Sequence, residues 1–156
     1  KTRDIISDFV TQHKIKKILD LYCGSGNLSL HLAKLGAHVT GVEFNKNSIK
    51  TLRYNLQKNN LTNYKATHNH VEALQNCMEY SYDLILLDPP REGAAAILKE
   101  IRKVKGSFVI YMSCDPVTFA RDLKFLDPQY RIIDQFILDF FPHTYHVETL
   151  NILQLR

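Results

Sequence analysis

Cysteine is scarce in this chain. Cys23, Cys77 and Cys114 are odd in number and far apart, which excludes a disulfide framework and makes a reducing, cytoplasmic setting the expectation. Long apolar runs are missing as well. None reaches the roughly 18 residues that a membrane-spanning helix needs. The first residues, Lys1-Thr2-Arg3-Asp4, carry no signal-peptide core. There is no repeat, low-complexity tract or long block of like charge. What is present is ordinary globular composition, 45% apolar and 23% charged over 156 residues. That is enough chain for one domain with a core of its own. A net charge of +4 and a pI near 8.9 permit a polyanionic partner without requiring one.

The hydrophobic pattern alternates between strand-like and helix-like segments. Helical spacing covers Ile5–Val10. Strand Lys17–Tyr22, helix Leu28–Leu35, strand Ala37–Glu43 and helix Lys46–Lys58 follow. A weaker strand, Tyr64–His68, precedes a short helix near Val71–Met78. Strand Tyr82–Leu87, helix Ala94–Lys103, strand Ser107–Met112 and helix Val117–Phe125 come next. Two strand-like runs close the chain, Tyr130–Leu138 and His146–Leu155. The strands carry Ile, Leu and Val on both faces, as a parallel sheet covered by helices on both sides demands. The expected fold is a doubly wound α/β domain over 1–156, with the last two strands forming an antiparallel hairpin at one sheet edge.

Three loops at strand ends carry chemistry. The first, Asp20-Leu21-Tyr22-Cys23-Gly24-Ser25-Gly26, joins a strand to a helix. Its glycines allow a tight turn and a close ligand approach, and Glu43 ends the next strand, where an acid can hold two ribose hydroxyls. Ser29 stands where a dinucleotide fingerprint has its third glycine, a loss that crowds a pyrophosphate. Asp20 suits a cofactor with cationic groups. A plain tight turn is the alternative. The second loop, Asp88-Pro89-Pro90-Arg91-Glu92-Gly93, fixes Asp88 at the carboxyl end of a central strand, or else ends that strand with a solvated acid.

The third, Ser113-Cys114-Asp115-Pro116, sets a cysteine where a strand meets a helix, with Asp115 as N-cap and Pro116 at N1. Anions are favoured at that helix end, so the thiol can act as a nucleophile. It can also be a small apolar filler. Cys23 and Cys77 are read as structural. Near the C-terminus, His143 and His146 lack the further ligands a metal site wants, so no metal is expected. Glu148 opens an apolar strand, where a carboxylate needs a partner or a task.

Taken together, LDLYCGSGNLSLHLA, GVE, LLDPPREG, YMSCDPVTFARDL and FFPHTYHVE resemble, in order and separation, the catalytic domain of the RNA (uracil-5-)-methyltransferases. The resemblance implies a class I methyltransferase-like Rossmann fold, S-adenosyl-L-methionine as cofactor, and a uridine of tRNA or rRNA as substrate. It implies Cys114 as nucleophile and Glu148 as general base. It implies cofactor contacts from Tyr22, Asn27, Glu43 and Asp88 around the Gly24/Gly26 loop, and from His70 or its neighbour Asn69. The family's N-terminal RNA-binding barrel, its central insertion and a Phe-x-Gln-x-Asn segment are not in these 156 residues. A fragment, an excised domain or a shortened homologue is therefore expected, with a catalytically weak remnant or another nucleotide-cofactor enzyme as the alternatives. Arg91, beside Asp88, is a candidate donor to a uracil oxygen. Tyr111, Phe140 and Tyr145 are candidates to stack on an unstacked base.

Overall fold

A computed structural model describes residues 1–70, 81–101, 104–139 and 147–156. Helix α1 (Thr2–Gln12) leads into β1 (Lys17–Leu21), α2 (Leu30–Lys34), β2 (His38–Glu43), α3 (Lys46–Lys58) and β3 (Tyr64–His68). Then come β4 (Ser81–Leu87), α4 (Ala95–Ile101), β5 (Lys105–Ser113), α5 (Pro116–Leu126), β6 (Tyr130–Leu138) and β7 (Glu148–Leu155). The seven strands form one sheet in the order β3-β2-β1-β4-β5-β7-β6. The first five are parallel, and β7 runs antiparallel to both β5 and β6. The expected hairpin is present at the sheet edge, with β7 inserted between β5 and β6. The short helix expected near Val71–Met78, with Cys77, lies outside the described residues, as do Phe140, His143, Tyr145 and His146.

Alternation along the strands builds two cores. Ile18, Leu84 and Leu86 face one side, packed by Phe9 and Val10 of α1, Leu32 of α2, and Ile49, Leu52 and Leu56 of α3. Leu19, Leu21, Ile85 and Leu87 face the other, packed by Ile97, Leu98 and Ile101 of α4 and Phe119 and Leu126 of α5. Burial on both faces explains why the inner strands carry Ile, Leu and Val on both sides. Strand β5 is longer than its apolar run, because Lys105 and Gly106 pair with Ser81 and Tyr82 of β4.

This winding has one consequence for function. The carboxyl ends of β1, β2, β4 and β5, and the amino end of the reversed strand β7, all lie along the same edge of the sheet. The order reverses between β1 and β4, which opens a crevice at that edge.

Candidate active site

The loop after β1 is set by left-handed backbone. Tyr22, Gly24 and Gly26 have φ of 63°, 54° and 88°. A Cβ on Gly26 would lie 2.7 Å from Leu52 Cδ1, so conformation and packing both demand glycine there. Asn27 is exposed at the loop tip, and its carbonyl accepts from Arg3 Nε at 2.9 Å. Glu43, half-buried at the end of β2, ties this loop to the next. Its Oε2 accepts from the Gly24 N–H at 3.0 Å and its Oε1 from the Asn45 N–H at 2.6 Å.

Below the loop, Asp20 is fully buried. It accepts from Ser29 Oγ, which lies 2.8 Å from the Tyr64 hydroxyl. Burial pushes Asp20 up to about 7, opposed by the Ser29 hydrogen bond and reinforced by the charges of Asp88 and Glu43. Its Oδ1 is buried with no hydrogen-bond partner among the described residues. Ser29 is thus more than a missing glycine, since it fixes this acid beneath the crevice.

Phe44, directly after Glu43, is 55% exposed despite its size. Its ring stacks on His70 at 3.8 Å between centroids, and its carbonyl lies 2.9 Å from His68 Nε2. The sequence patterns pointed to His70 but not to Phe44. The exposed aromatic after a strand-ending acid was the available signal.

Asp88 closes β4 on the other side of the crevice. The crevice wall and then the charge of Glu148 push it up to about 6. Its residue surface is still open to water, which screens part of that rise. Asp88 and Glu148, sixty residues apart in sequence, are thus brought within electrostatic reach of each other. Glu148 is half-buried, the first residue of β7.

Cys114 directly follows β5, the strand paired with β7. Antiparallel pairing of β5 with β7 runs through Met112↔Leu150 and ends at Ser113↔Thr149. Beyond that last pair Cys114 begins the turn into α5, and Glu148 is the first residue of β7, so both lie at the same end of the β5/β7 ladder. The thiol is exposed. Its turn is pinned on both sides. Ser113 Oγ donates to the Asp115 carbonyl at 2.8 Å and accepts from the Asp115 N–H at 3.1 Å. Asp115 caps α5 by accepting from the Val117 N–H at 2.9 Å, with Pro116 following at the first helical position. That bond, with those from Thr118 and the nearby charge of Arg91, holds the Asp115 carboxyl below its ordinary value. Exposed Arg91 is therefore close to the cysteine turn.

A buried brace fastens the Asp88 loop to the Cys114 helix. Asp122 of α5 is fully buried, and its Oδ2 accepts from the Ala94 N–H and the Tyr111 hydroxyl, each at 2.6 Å. Its Oδ1 accepts from Arg121 Nε and Nη2 at 3.0 and 2.8 Å, and Arg121 Nη2 also donates to the Glu92 carbonyl at 2.6 Å. Tyr111 is therefore a core residue bound to Asp122, not a ring available for base stacking. Asp122→Ala leaves two buried donors without an acceptor, at about 1–3 kcal/mol each. A stability loss of about 2–6 kcal/mol is expected in urea unfolding; a loss below about 0.5 kcal/mol, the range of neutral surface changes, would dismiss the brace.

Among the sequence-derived candidates, Tyr22, Gly24, Gly26, Asn27, Glu43 and Asp88 lie at or just after the carboxyl ends of β1, β2 and β4 along one sheet edge, and Cys114 and Glu148 lie at its β5/β7 end. His70 lies at the far side, following β3. Four strand spacings separate β3 from β5, about 19 Å in all. The crevice suits an extended ligand with a flat ring against Phe44 and His70, hydroxyls at Glu43, and positive charge toward Asp20 and Asp88. S-adenosylmethionine fits this donor set. The orphaned Asp20 Oδ1 and the convergence of four carboxylates favour a cationic ligand and disfavour a pyrophosphate.

Comparison with known proteins identifies the family and the fold. A family model described as tRNA (uracil-5-)-methyltransferase matches residues 6–156. The 23S rRNA (uracil(1939)-C(5))-methyltransferase RlmD of Legionella pneumophila (strain Corby) is 41% identical over 142 residues, covering 88% of this chain and 32% of the relative. RlmD of Tolumonas auensis is 40% identical over 147 residues, covering 89% of the chain and 33% of the relative. The crystal structure of Pyrococcus abyssi tRNA (uracil-54, C5)-methyltransferase in complex with S-adenosyl-L-homocysteine superposes with a TM-score of 0.83 at 35% identity. It covers 97% of this chain and 38% of that one. Magnesium protoporphyrin IX methyltransferase from Synechocystis PCC 6803 shares the fold alone, with a TM-score of 0.79 at 15% identity over 99% of this chain and 82% of its own. The chain spans about a third of the length of the curated relatives.

Proposed function

The chain belongs to the tRNA (uracil-5-)-methyltransferase family, and from that premise we propose that it methylates C5 of a uridine in tRNA or rRNA through a covalent cysteine adduct. The observation that carries the proposal is the β5/β7 pairing, which ends at Ser113↔Thr149 and so leaves Cys114 and Glu148 at the same end of that ladder, with the charge of Glu148 acting on Asp88. The relatives' names support RNA and S-adenosylmethionine as the substrate and cofactor.

In this reading Asp20, Glu43 and Asp88 hold S-adenosylmethionine, with Tyr22, Gly24, Gly26 and Asn27 shaping its loop and Phe44 and His70 flanking its ring. When bound, that cofactor supplies an electrophilic methyl group on a sulfonium. Glu43 keeps lone pairs for ribose hydroxyls beyond the two backbone N–H groups it already accepts. Asp20 gains the cationic partner that its buried Oδ1 lacks.

The chain's own residues supply the rest. The Cys114 thiolate attacks C6 of the uracil, forming a carbon–sulfur bond and moving the C5=C6 pair toward C5 and the C4 oxygen. Arg91 neutralises the oxygen's developing charge. Once C5 carries the methyl group, the Glu148 carboxylate removes the C5 proton. The released pair restores the C5=C6 bond and expels Cys114 as thiolate. The target base must first leave its stack, at a few kcal/mol.

The reading is tested by incubating total RNA with methyl-labelled S-adenosylmethionine and digesting it to nucleosides. Label in 5-methyluridine is expected; label confined to another nucleoside overturns the proposal. For the cofactor, Glu43→Ala should weaken S-adenosylhomocysteine binding by about 1.5–3 kcal/mol, the scale of a hydrogen bond to a charged group. Calorimetry that finds the variant binding as tightly as wild type removes Glu43 from the site. Tighter binding of NAD than of S-adenosylhomocysteine removes the cofactor itself.

A further inference from the structure

The chain's positive charge is concentrated in one place. Residues 44–70 hold Lys46, Lys50, Arg53, Lys58 and Lys65 without a single Asp or Glu. The whole chain has a net charge of only +4, so everything outside this segment is slightly acidic. The fold turns the segment into a surface. Helix α3 buries Ile49, Leu52 and Leu56 and leaves Lys46, Lys50 and Arg53 exposed along the flank next to Ile49, at i, i+4 and i+7. Tyr54, beside that stripe, is 62% exposed.

The three cations line a cavity of about 470 Å³ together with Asn47, Ile49 and His68. None of the ion pairs among the described residues involves Lys46 or Lys50. Arg53 makes one long bond, from Nη2 to the Ala66 carbonyl at 3.3 Å. Like charges four apart weaken a helix. This arrangement is costly in the free protein and becomes favourable when an anion neutralises it.

We propose that the α3 stripe of Lys46, Lys50 and Arg53 is a docking surface for the phosphodiester backbone of the RNA, well away from the nucleotide that reacts. The inference rests on RNA being the substrate and adds where its backbone is held. Charge complementarity is the main argument, and position is the second. The stripe lies by the Phe44/His70 end of the crevice, about 19 Å from the Cys114 end across four strand spacings. At about 3.4 Å per stacked nucleotide that gap is roughly six nucleotides. The surface therefore reads phosphates beyond the target base and carries no sequence information of its own.

The test measures binding of fluorescent oligouridylates across a salt series with Lys46→Gln/Lys50→Gln/Arg53→Gln. Wild type is the reference, and Lys14→Gln/Lys16→Gln/Lys124→Gln is a charge-matched control. With a 20-mer, the slope of log affinity against log salt should become shallower by about 2, near 0.7 for each cation removed from a single-strand contact. The control variant should keep the wild-type slope. All substituted side chains are exposed and the Asn45 cap of α3 is retained, so equal melting temperatures are expected.

An unchanged slope for the stripe variant overturns the inference, and so does an equal loss in the control. Tighter wild-type binding of a poly-glutamate of equal length assigns the surface to an acidic protein and also overturns it. The same samples carry a separate readout of the reading it rests on. A denaturation-resistant adduct with 5-fluorouridine RNA in wild type, alongside an unchanged slope, rejects the stripe alone. Absence of both RNA binding and adduct rejects the stripe and the RNA reading together.

Discussion

Cys114→Ala should reduce uridine methylation to background while leaving S-adenosylhomocysteine binding within twofold of wild type. The fall should be at least about 10³-fold, the scale for deleting a covalent nucleophile. The split follows from position. Cys114 follows the end of β5, facing the start of β7, whereas the groups suited to the cofactor line β1, β2 and β4. The thiol is exposed, so its loss opens no cavity, and thermal stability should hold. RNA carrying 5-fluorouridine sharpens the test. After attack at C6 and methylation at C5, fluorine cannot leave as a proton does, so the adduct persists. Wild type should migrate with the RNA on a denaturing gel, and Cys114→Ala should not. Cys23 provides the internal comparison. It is buried, and burial pushes its thiol far above the ordinary value, with the charge of Asp20 adding to the effect. An adduct that survives Cys114→Ala and disappears with Cys23→Ala would identify the other thiol as the nucleophile.

Much of the architecture was legible because the inner strands are buried on both faces, so Leu84–Leu87 reads as an unbroken apolar run and Ile18–Leu21 as one interrupted only by Asp20. Helix α3 matched its expected bounds, Lys46–Lys58, because Asn45 is a strong cap and the buried positions recur at helical spacing. The site was legible where chemistry shows in one residue type at a strand end, as at Glu43, Asp88 and Cys114. It was illegible where a residue's role depends on a distant loop. Asp122 sits among Arg121, Leu123 and Lys124 and reads as an exposed polar position; only the docking of the 88–94 loop onto α5 buries it. Ser29 read as a lost glycine because its partners, Asp20 and Tyr64, meet it only in the folded sheet. The arrival of Glu148 at the carboxyl end of β5 depends on β7 entering between β5 and β6. That is a choice of strand order that neither strand's own pattern specifies.

Glu148→Gln should arrest the enzyme on its product. Glu148 opens β7 half-buried, one step beyond the Ser113↔Thr149 pair and close enough to raise the Asp88 carboxyl. A carboxylate beside another carboxylate repels it, so keeping both at the crevice mouth calls for a chemical reason. Proton removal from C5 is such a reason, and it belongs to the last step. With glutamine of equal shape in its place, Cys114 still attacks C6 and C5 is still methylated, but the proton stays and the carbon–sulfur bond cannot break. A covalent complex should therefore accumulate with ordinary, unfluorinated RNA, containing one methyl group per bound chain, while turnover falls to background. A Glu148 that only supports the strand makes a different pattern: lower melting temperature, reduced activity and no trapped species. Cys114→Ala/Glu148→Gln must show no complex, since the bond that traps the RNA is then missing. RNA binding by the single variant, measured in parallel, ensures that an empty lane is a chemical result. An empty lane with intact RNA binding would remove Glu148 as the base and leave Asp88, the carboxylate that its charge raises, as the group to test next.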